Sequence, residues 1–364
     1  MITTKEGSKT RTDAAWLAVD LEHDKSWIVR LDDADRADML NVLRKASDLR
    51  KALLEYRKED FPFGQSLTPI RRALDEAQHG RGVALVKGLP RENVSEEDFR
   101  LLTWGIGLHF GVARPQDKAT RYINEVRNVG VDYRSATGRG YSSNAELDFH
   151  VDGTDVVLLS CYNQAPHGGD SMCSSSLAAY RQLQTERPDL AAVLHETTAF
   201  SLQGEQADGH PPFIHLPVFG ERDGRVFCIW VRNRVMFGEK LPGAPRLTEL
   251  QRQAMDLLDD IVRRPEFMFS MRLEAGDVQI LSNHTVLHSR TEFEDAPEPD
   301  KKRLLYRLWL STPDAPALPD AWSAYYGDTE PGVVRGGAVG QHYTDDCRRF
   351  DEAQAKAMGM RLPA

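Results

Sequence analysis

Cysteine is scarce in this sequence of 364 residues, and no uninterrupted apolar run approaches the length that a membrane span requires. The four cysteines (Cys161, Cys173, Cys228 and Cys347) are widely separated and show no Cys-x-x-Cys spacing. This pattern argues against a disulfide framework or a zinc site and indicates free thiols in a reducing compartment. The first residues lack the apolar stretch of a secretory signal, so we expect a cytoplasmic protein that does not associate with membranes.

An excess of positive charge is also missing, because 46 basic residues face 55 acidic ones and the net charge is -9. Nucleic-acid binders need a basic face, so we expect no nucleic-acid partner. A single Arg335-Gly336-Gly337 in an acidic protein predicts a turn and not an RNA-binding segment. The remaining class of partner is a small molecule.

Helical and strand patterns are mixed along the chain. Apolar residues at helical spacing predict helices over 33–60, 67–80, 176–194 with a break at Pro188, and 247–264. Short apolar runs predict strands over 82–88, 155–162, 171–174, 226–231, 268–273, 276–281 and 304–310. Many short strands flanked by helices indicate an α+β protein with a jelly-roll or barrel core.

The stretch Glu146-Leu147-Asp148-Phe149-His150-Val151-Asp152 reads as a strand that carries metal-seeking side chains. Side chains alternate along a strand, so His150 and Asp152 share one face with Glu146 and Asp148. One imidazole and one carboxylate make two-thirds of the facial triad that holds non-haem Fe(II). Alone, a His-x-Asp pair is more often a surface polar contact.

A second imidazole follows in residues 276–290, which include Asn283, His284 and His288, and two arginines, Arg303 and Arg307, follow in residues 303–310. Together with residues 146–152, these segments resemble, in the same order, the taurine dioxygenase-like family of Fe(II)/2-oxoglutarate oxygenases. The resemblance implies a double-stranded β-helix, or jelly-roll, core flanked by helices. It also implies Fe(II), 2-oxoglutarate and O2 as the cofactor and co-substrates.

On this resemblance the chain divides into three parts. Residues 1–66 would be a helical extension packed on the core, residues 67–312 the oxygenase core, and residues 313–364 a tail that wraps it. Residues 113–145 lack a regular pattern and precede the metal segment, so we expect them to form a lid; a plain surface loop is the alternative.

The resemblance makes His150, Asp152 and His288 the iron ligands and catalytic centre. His284 competes with His288 as a ligand, and its alternative role is a hydrogen-bonded structural histidine beside Asn283. A carboxylate at Asp152 implies hydroxylation, desaturation or ring closure, because related halogenases carry a small residue there.

Arg303 and Arg307 lie four apart in an apolar strand, so both face the same side and need anions. The resemblance assigns to Arg303, with the hydroxyl of Ser171, the distal carboxylate of 2-oxoglutarate. It assigns to Arg307 an acidic group of the prime substrate; the alternative is a salt bridge from Arg307 to Asp148 or Glu146. Glu146 could then meet a substrate ammonium.

The expected activity is oxidation of an unactivated C–H bond, most simply hydroxylation, in a small carboxylate-bearing substrate such as an amino acid or similar zwitterion. Succinate and CO2 would be released. Desaturation or ring closure at the same site, a metal-binding jelly-roll module without turnover, and a zinc hydrolase are the alternatives. Acidic cytoplasmic enzymes of this class are commonly homo-oligomers.

Overall fold

The computed structural model describes residues 14–130, 142–206, 209–338 and 342–363. The α-helices are α1 (Ala18–His23), α2 (Asp33–Asp48), α3 (Leu67–His79), α4 (Glu96–Leu108), α5 (Ser176–Glu186), α6 (Pro188–Val193), α7 (Arg232–Gly238), α8 (Glu249–Arg263), α9 (Ser323–Tyr326) and α10 (Asp345–Met358). The strands are β1 (Ile28–Arg30), β2 (Val83–Lys87), β3 (Val112–Ala113), β4 (Ile123–Val126), β5 (Val156–Asn163), β6 (His167–Gly168), β7 (Ser171–Ser175), β8 (Thr198–Ser201), β9 (Phe213–Leu216), β10 (Phe219–Arg222), β11 (Arg225–Cys228), β12 (Met268–Met271), β13 (Val278–Ser282), β14 (Val286–Arg290), β15 (Phe293–Glu294) and β16 (Leu304–Ser311). Within these ranges no helix is both long enough and apolar enough to cross a membrane.

Two sheets form the centre of the molecule. The larger has the strand order β1-β2-β13-β5-β16-β3, with β4 also paired to β16, and the smaller has the order β12-β7-β14. The chain passes from the larger sheet to the smaller between β5 and β7, and again between β13 and β14. The fold is therefore a mixed α and β structure.

Alternation along β5 explains how the layers are assembled. Val156 and Leu158 face a core that includes residues of α2, α3 and α4, whereas Val157 and Cys161 face a second core shared with the smaller sheet. A third core joins α5, α6 and α8 to the smaller sheet. Helices thus cover the outer side of each sheet and leave the space between the sheets for a site.

Most of the regular elements were predicted from the sequence. Helices α3 and α8, the break at Pro188 and the strands β2, β5, β7, β12, β13 and β16 are confirmed. The helix expected over 33–60 ends at Asp48 and is followed by two short 3-10 turns. The strand expected over 146–152 is wrong, because those residues are an extended segment that makes isolated bridges at His150 only.

The terminal parts contain regular elements that the sequence analysis did not predict. Strand β1, in the part predicted to be only helical, pairs in parallel with β2. Helix α10, which the sequence analysis missed, places Phe350 5.3 Å from the ring of Trp104 in α4. Within the expected lid, β4 pairs with β16. Residues 131–141 of that lid lie outside the described residues.

Arg335 links the C-terminal part to the core through a buried ion pair. Its Nε lies 2.8 Å from Oδ1 of Asp155, and its Nη1 and Nη2 donate to the carbonyls of Thr329 (3.0 Å) and Pro316 (2.8 Å). Burial raises the pKa of Asp155, but the charge of Arg335 and the hydrogen bond from His284 outweigh it and lower the pKa to about 2. Asp155 therefore stays ionised, and the charge of Arg335 compensates its buried carboxylate.

We expect Arg335→Ala to lower the free energy of unfolding by about 3–5 kcal/mol, because it leaves the buried Asp155 carboxylate without its cation. Arg349→Ala is the control, since Arg349 is exposed and pairs only with the exposed Asp346; its effect should stay within about 0.5 kcal/mol. Urea unfolding followed by circular dichroism measures both. Equal stability of the two variants would contradict the anchoring role.

Candidate metal centre and active site

A cavity lies between the two sheets and is lined by side chains from β5, β7, β13, β14 and β16, the segment 147–153 and the first turn of α7. His150, Asp152 and His288 lie on its wall, and each offers one ligand atom within 4.8 Å of the others. In the described ranges, no other group of three or more His, Cys, Asp or Glu residues lies close enough together to hold a metal ion.

Backbone pairing brings the two imidazoles together. The N–H of His150 donates to the carbonyl of His288 at 3.0 Å, and the N–H of His288 donates to the carbonyl of His150 at 2.9 Å. The ring centroids are 4.3 Å apart, and Nε2 of His288 lies 3.8 Å from Oδ2 of Asp152. A segment distant in sequence is thereby fixed against β14 at the site.

Hydrogen bonds orient the side-chain atoms that could bind a metal. Nδ1 of His150 lies 2.8 Å from the carbonyl of Asp148. Since a carbonyl can only accept, Nδ1 carries the proton and Nε2 keeps its lone pair for a metal. The Asp152 backbone N–H donates to Oδ1 of Asn283 at 3.0 Å, and Asp152 Oδ1 accepts from Nη1 of Arg307 at 3.0 Å. The buried Oδ2 accepts no hydrogen bond of ordinary geometry from the described residues, so it is the oxygen left for a metal.

The protonation states suit metal binding. Burial, followed by the charge of His150, lowers the pKa of His288 to about 3. Burial raises the pKa of Asp152, but the charges of Arg307 and the two histidines outweigh it, and the pKa falls below its ordinary value. Two imidazoles and one carboxylate are the donor set of a non-haem Fe(II) site with open positions. The residues present fit iron.

His284 takes no part in this cluster. Its Nε2 lies 2.9 Å from Oδ1 of Asp155, and the side chain is buried. The alternative role considered for it, a hydrogen-bonded structural histidine, is confirmed.

One end of the cavity contains a buried cation with an unsatisfied donor. Arg303 is 3% exposed, and its Nε donates to Oε1 of Gln164 at 3.0 Å. Its Nη1 is buried and has no hydrogen-bond partner among the residues described. Burial lowers the pKa of Arg303 to about 10. A guanidinium in this position needs an anion, and Ser171 lines the same cavity.

Gln279 belongs to the same end and was missed from the sequence. Its Oε1 accepts from the hydroxyl of Ser171 at 2.8 Å, and its Nε2 contacts the sulfur of Cys173 at 3.3 Å. The residue is fully buried on β13 and lines the cavity. The signal was present, because Gln279 is a polar residue inside the apolar run of that strand.

Arg307 faces the cavity but does not pair with either acid considered as its partner. It holds Asp152, and its Nε donates to Oε1 of Gln116 at 2.8 Å. Glu146 instead lies 2.6 Å from Nη1 of Arg263, is half exposed, and is not among the cavity-lining residues. Asp148 does line the cavity. Nη2 of the same Arg263 lies 3.4 Å from Oδ1 of Asp148, so Glu146 and Asp148 share a face as strand alternation predicts, but only Asp148 reaches the cavity.

Comparisons with known proteins agree with this geometry. The sequence profile described as "Taurine catabolism dioxygenase TauD, TfdA family" matches residues 45–309. FR-33289 synthase of Streptomyces rubellomurinus is 28% identical over 316 residues, which cover 86% of this chain and 93% of that protein.

Two solved structures share the fold. Asparagine oxygenase in complex with Fe(II), 2S,3S-3-hydroxyasparagine and succinate superposes with a TM-score of 0.57 at 18% identity, covering 79% of this chain and 94% of that one. The non-haem iron oxygenase OrfP with Fe and alpha-ketoglutaric acid has a TM-score of 0.57 at 15% identity, with coverage of 79% and 94%.

Asn283→Ala should weaken Fe(II) binding by about 10–100-fold, because Asn283 fixes the backbone of Asp152 and supporting contacts of this kind contribute that much to metal affinity. Asn128→Ala is the matched control, since within the described residues Asn128 accepts a turn N–H from Gly130 and lies outside the cavity lining. Anaerobic competition with a coloured chelator measures both affinities. Unchanged Fe(II) affinity in a folded Asn283→Ala protein would contradict the positioning role.

Proposed function

Because the chain belongs to the TauD/TfdA dioxygenase family and is an Fe(II)- and 2-oxoglutarate-dependent dioxygenase, we propose that it hydroxylates an unactivated C–H bond of a small carboxylate-bearing substrate, an amino acid or similar zwitterion. One observation carries the proposal. Three iron-type ligands and a buried arginine with an unsatisfied N–H line one cavity. A metal ion and a dicarboxylate can therefore bind in the same cavity.

The two sheets support a double-stranded β-helix core. The path of the chain alternates between them, from β5 to β7 and from β13 to β14. Strands that alternate between two facing sheets are the pattern of a jelly roll. We infer this topology from the strand order.

His150, Asp152 and His288 hold the iron in this proposal. Bound there, iron would supply O2 activation coupled to conversion of 2-oxoglutarate to succinate and CO2. Arg307 holds one oxygen of Asp152, which leaves the other oxygen as a single ligand atom and keeps part of the coordination sphere open. Asp152 also fills the position that a halide would need.

The distal carboxylate of 2-oxoglutarate binds at Arg303. Nη1 of Arg303 provides the donor that lacks a partner, and the hydroxyl of Ser171 provides a second donor when it turns from Gln279. The guanidinium also lies 5.0 Å from the ring of Phe293, which limits its orientation. These contacts support binding of the carboxylate that is distal to the iron-binding keto acid of the co-substrate.

The prime substrate meets Arg307 through its acidic group. We substitute Asp148 for Glu146 as the partner of a substrate ammonium, because Asp148 lines the cavity and Glu146 does not. The bound ligands named for the two relatives, hydroxyasparagine and, in another OrfP complex, (3S)-hydroxy-L-Arg, support an amino-acid substrate for a protein of this fold.

A panel of L-amino acids and small zwitterions, incubated with the iron-loaded enzyme, 2-oxoglutarate and O2, tests the proposal. We expect one or more members to raise succinate release and to gain one oxygen by mass spectrometry. Loss of two hydrogens would instead identify desaturation or ring closure. If no carboxylate-bearing compound in the panel increases succinate release, the proposed substrate class is contradicted.

Arg303→Met should raise the KM for 2-oxoglutarate by about 100-fold, because it removes a charge-assisted pair inside a buried site. Fe(II) affinity should stay within about 3-fold, since Arg303 contacts none of the three ligands and an untouched donor set keeps its affinity. Arg348→Met, at an exposed arginine paired with Asp345, is the control. An unchanged KM in Arg303→Met would show that the co-substrate binds elsewhere.

A further inference from the structure

Two complementary polar atoms beside the proposed iron site are buried without a hydrogen-bond partner. One is Nε1 of Trp309, a donor, and the other is Oδ2 of Asp152, an acceptor; neither forms a hydrogen bond of ordinary geometry with the described residues. An indole nitrogen can only donate, and a buried N–H without an acceptor costs free energy. Such a group in a native protein calls for an explanation, and the surroundings of Trp309 supply one.

Trp309 lies on the same strand as the arginine that holds Asp152. It is 7% exposed, follows Arg307 by two residues in β16, and lines the cavity that contains the metal ligands. Alternation along a strand places the two side chains on one face. The guanidinium carbon of Arg307, whose Nη1 contacts Oδ1 of Asp152, lies 5.0 Å from the centre of a Trp309 ring. The indole and the guanidinium therefore approach the metal-ligand segment together.

The residue after Asp152 leaves room for this approach. A β-carbon at Gly153 would lie 3.6 Å from Cζ3 of Trp309 and 2.7 Å from the hydroxyl oxygen of Tyr325, and the second distance is too short for any side chain. Glycine thus lets both rings pack against the backbone beside the ligand.

The indole N–H already acts on the Asp152 carboxylate. Burial raises the pKa of Asp152, the charges of Arg307 and the two histidines lower it, and the N–H of Trp309 lowers it further. The contact still falls outside ordinary hydrogen-bond geometry. A small rotation of the carboxylate or of the indole is what separates the two groups from a complete hydrogen bond.

The carboxylate has room for a second donor. An ionised carboxylate accepts at about four positions on its two oxygens. Arg307 occupies one position on Oδ1 of Asp152, and the metal would occupy one on Oδ2. A further N–H donor restricts rotation of the group, and hydrogen bonds to ligating carboxylates orient them toward a metal.

We propose that Trp309 is a positioning residue for the iron site: its indole N–H donates to the carboxylate of Asp152 when the metal is bound and fixes the orientation of that ligand. The inference rests on the proposed function, since it requires iron at His150, Asp152 and His288. It gives Trp309 no contact with 2-oxoglutarate or with the prime substrate. Two neighbouring side chains of β16, Arg307 and Trp309, then hold one iron ligand.

Trp309→Phe removes the N–H and keeps an aromatic ring. We expect it to weaken Fe(II) binding by about 10-fold or more, because loss of a contact that supports a metal ligand costs about 10–100-fold in affinity. Trp104→Phe is the matched control: Nε1 of Trp104 is also buried and without a partner among the described residues, but Trp104 packs against α10 and does not line the cavity. Its Fe(II) affinity should stay within about 3-fold of the wild-type value, since the donor set is untouched. Anaerobic competition with a coloured chelator measures both.

A second replacement separates the N–H from the size of the ring. Site-specific incorporation of 3-benzothienylalanine at position 309 puts sulfur in place of the indole N–H and keeps nearly the same ring volume. We expect the same loss of Fe(II) affinity as in Trp309→Phe, because the donor is missing from both side chains. Wild-type affinity in this protein would show that only ring volume matters and would overturn the inference.

Absorption spectroscopy gives an independent readout. A hydrogen bond withdraws electron density from a carboxylate, so Asp152 without the N–H becomes a stronger donor to iron. With Fe(II) and 2-oxoglutarate saturating and O2 absent, the metal-to-ligand charge-transfer band should shift to longer wavelength in both proteins altered at Trp309. The band should not shift in Trp104→Phe. A residue that acts only through the stability of the fold would leave the band in place.

Two results would overturn the inference and leave the proposed function intact. One is wild-type Fe(II) affinity and an unshifted band in folded Trp309→Phe. The other is unchanged Fe(II) affinity with weaker binding of 2-oxoglutarate, which would make the N–H a donor to the co-substrate and not to Asp152. A wild-type protein that binds neither Fe(II) nor 2-oxoglutarate would instead contradict the proposed function, and this inference with it.

Discussion

The site depends on the reciprocal backbone hydrogen bonds between His150 and His288. They join an extended segment that follows the lid region to the edge of the smaller sheet, across more than a hundred residues of sequence. Asp152 is fixed two residues further by Asn283, on the turn between β13 and β14. Hydrogen bonds to the main chain therefore fix His150, Asp152 and His288 beside one another without a metal.

Several charged side chains line this cavity, and some of their buried polar atoms have partners in the described structure while others do not. Asp152 shares its two oxygens between Arg307 and the metal position, and Arg303 keeps one N–H for an anion. Glu205 and Arg234, which line the same cavity, form an ion pair. Since the cost of an unpaired buried charge is large, the unsatisfied N–H of Arg303 favours an anion at its position.

The three ligands, Arg303 and Ser171 could be identified from the sequence because they lie in short motifs whose order resembles a known family. Their cavity placement agrees with that identification, while their roles remain proposals. Strand alternation predicted the face that Glu146 shares with Asp148, but it could not show that Glu146 contacts Arg263 and lies outside the cavity lining. Gln279 and Trp309 were missed because their role depends on contacts between distant segments. Helix α10 was missed because a polar amphipathic helix at a chain end resembles a solvated tail.

The most direct test of the central claim is an anaerobic titration of the purified protein with Fe(II) and then 2-oxoglutarate, followed by visible absorption spectroscopy. The account predicts a metal-to-ligand charge-transfer band in the wild-type protein and its absence in a folded His150→Ala variant. A folded wild-type protein that gives no band, or a His150→Ala variant that retains it, would contradict the assignment of this cavity as the iron and 2-oxoglutarate site.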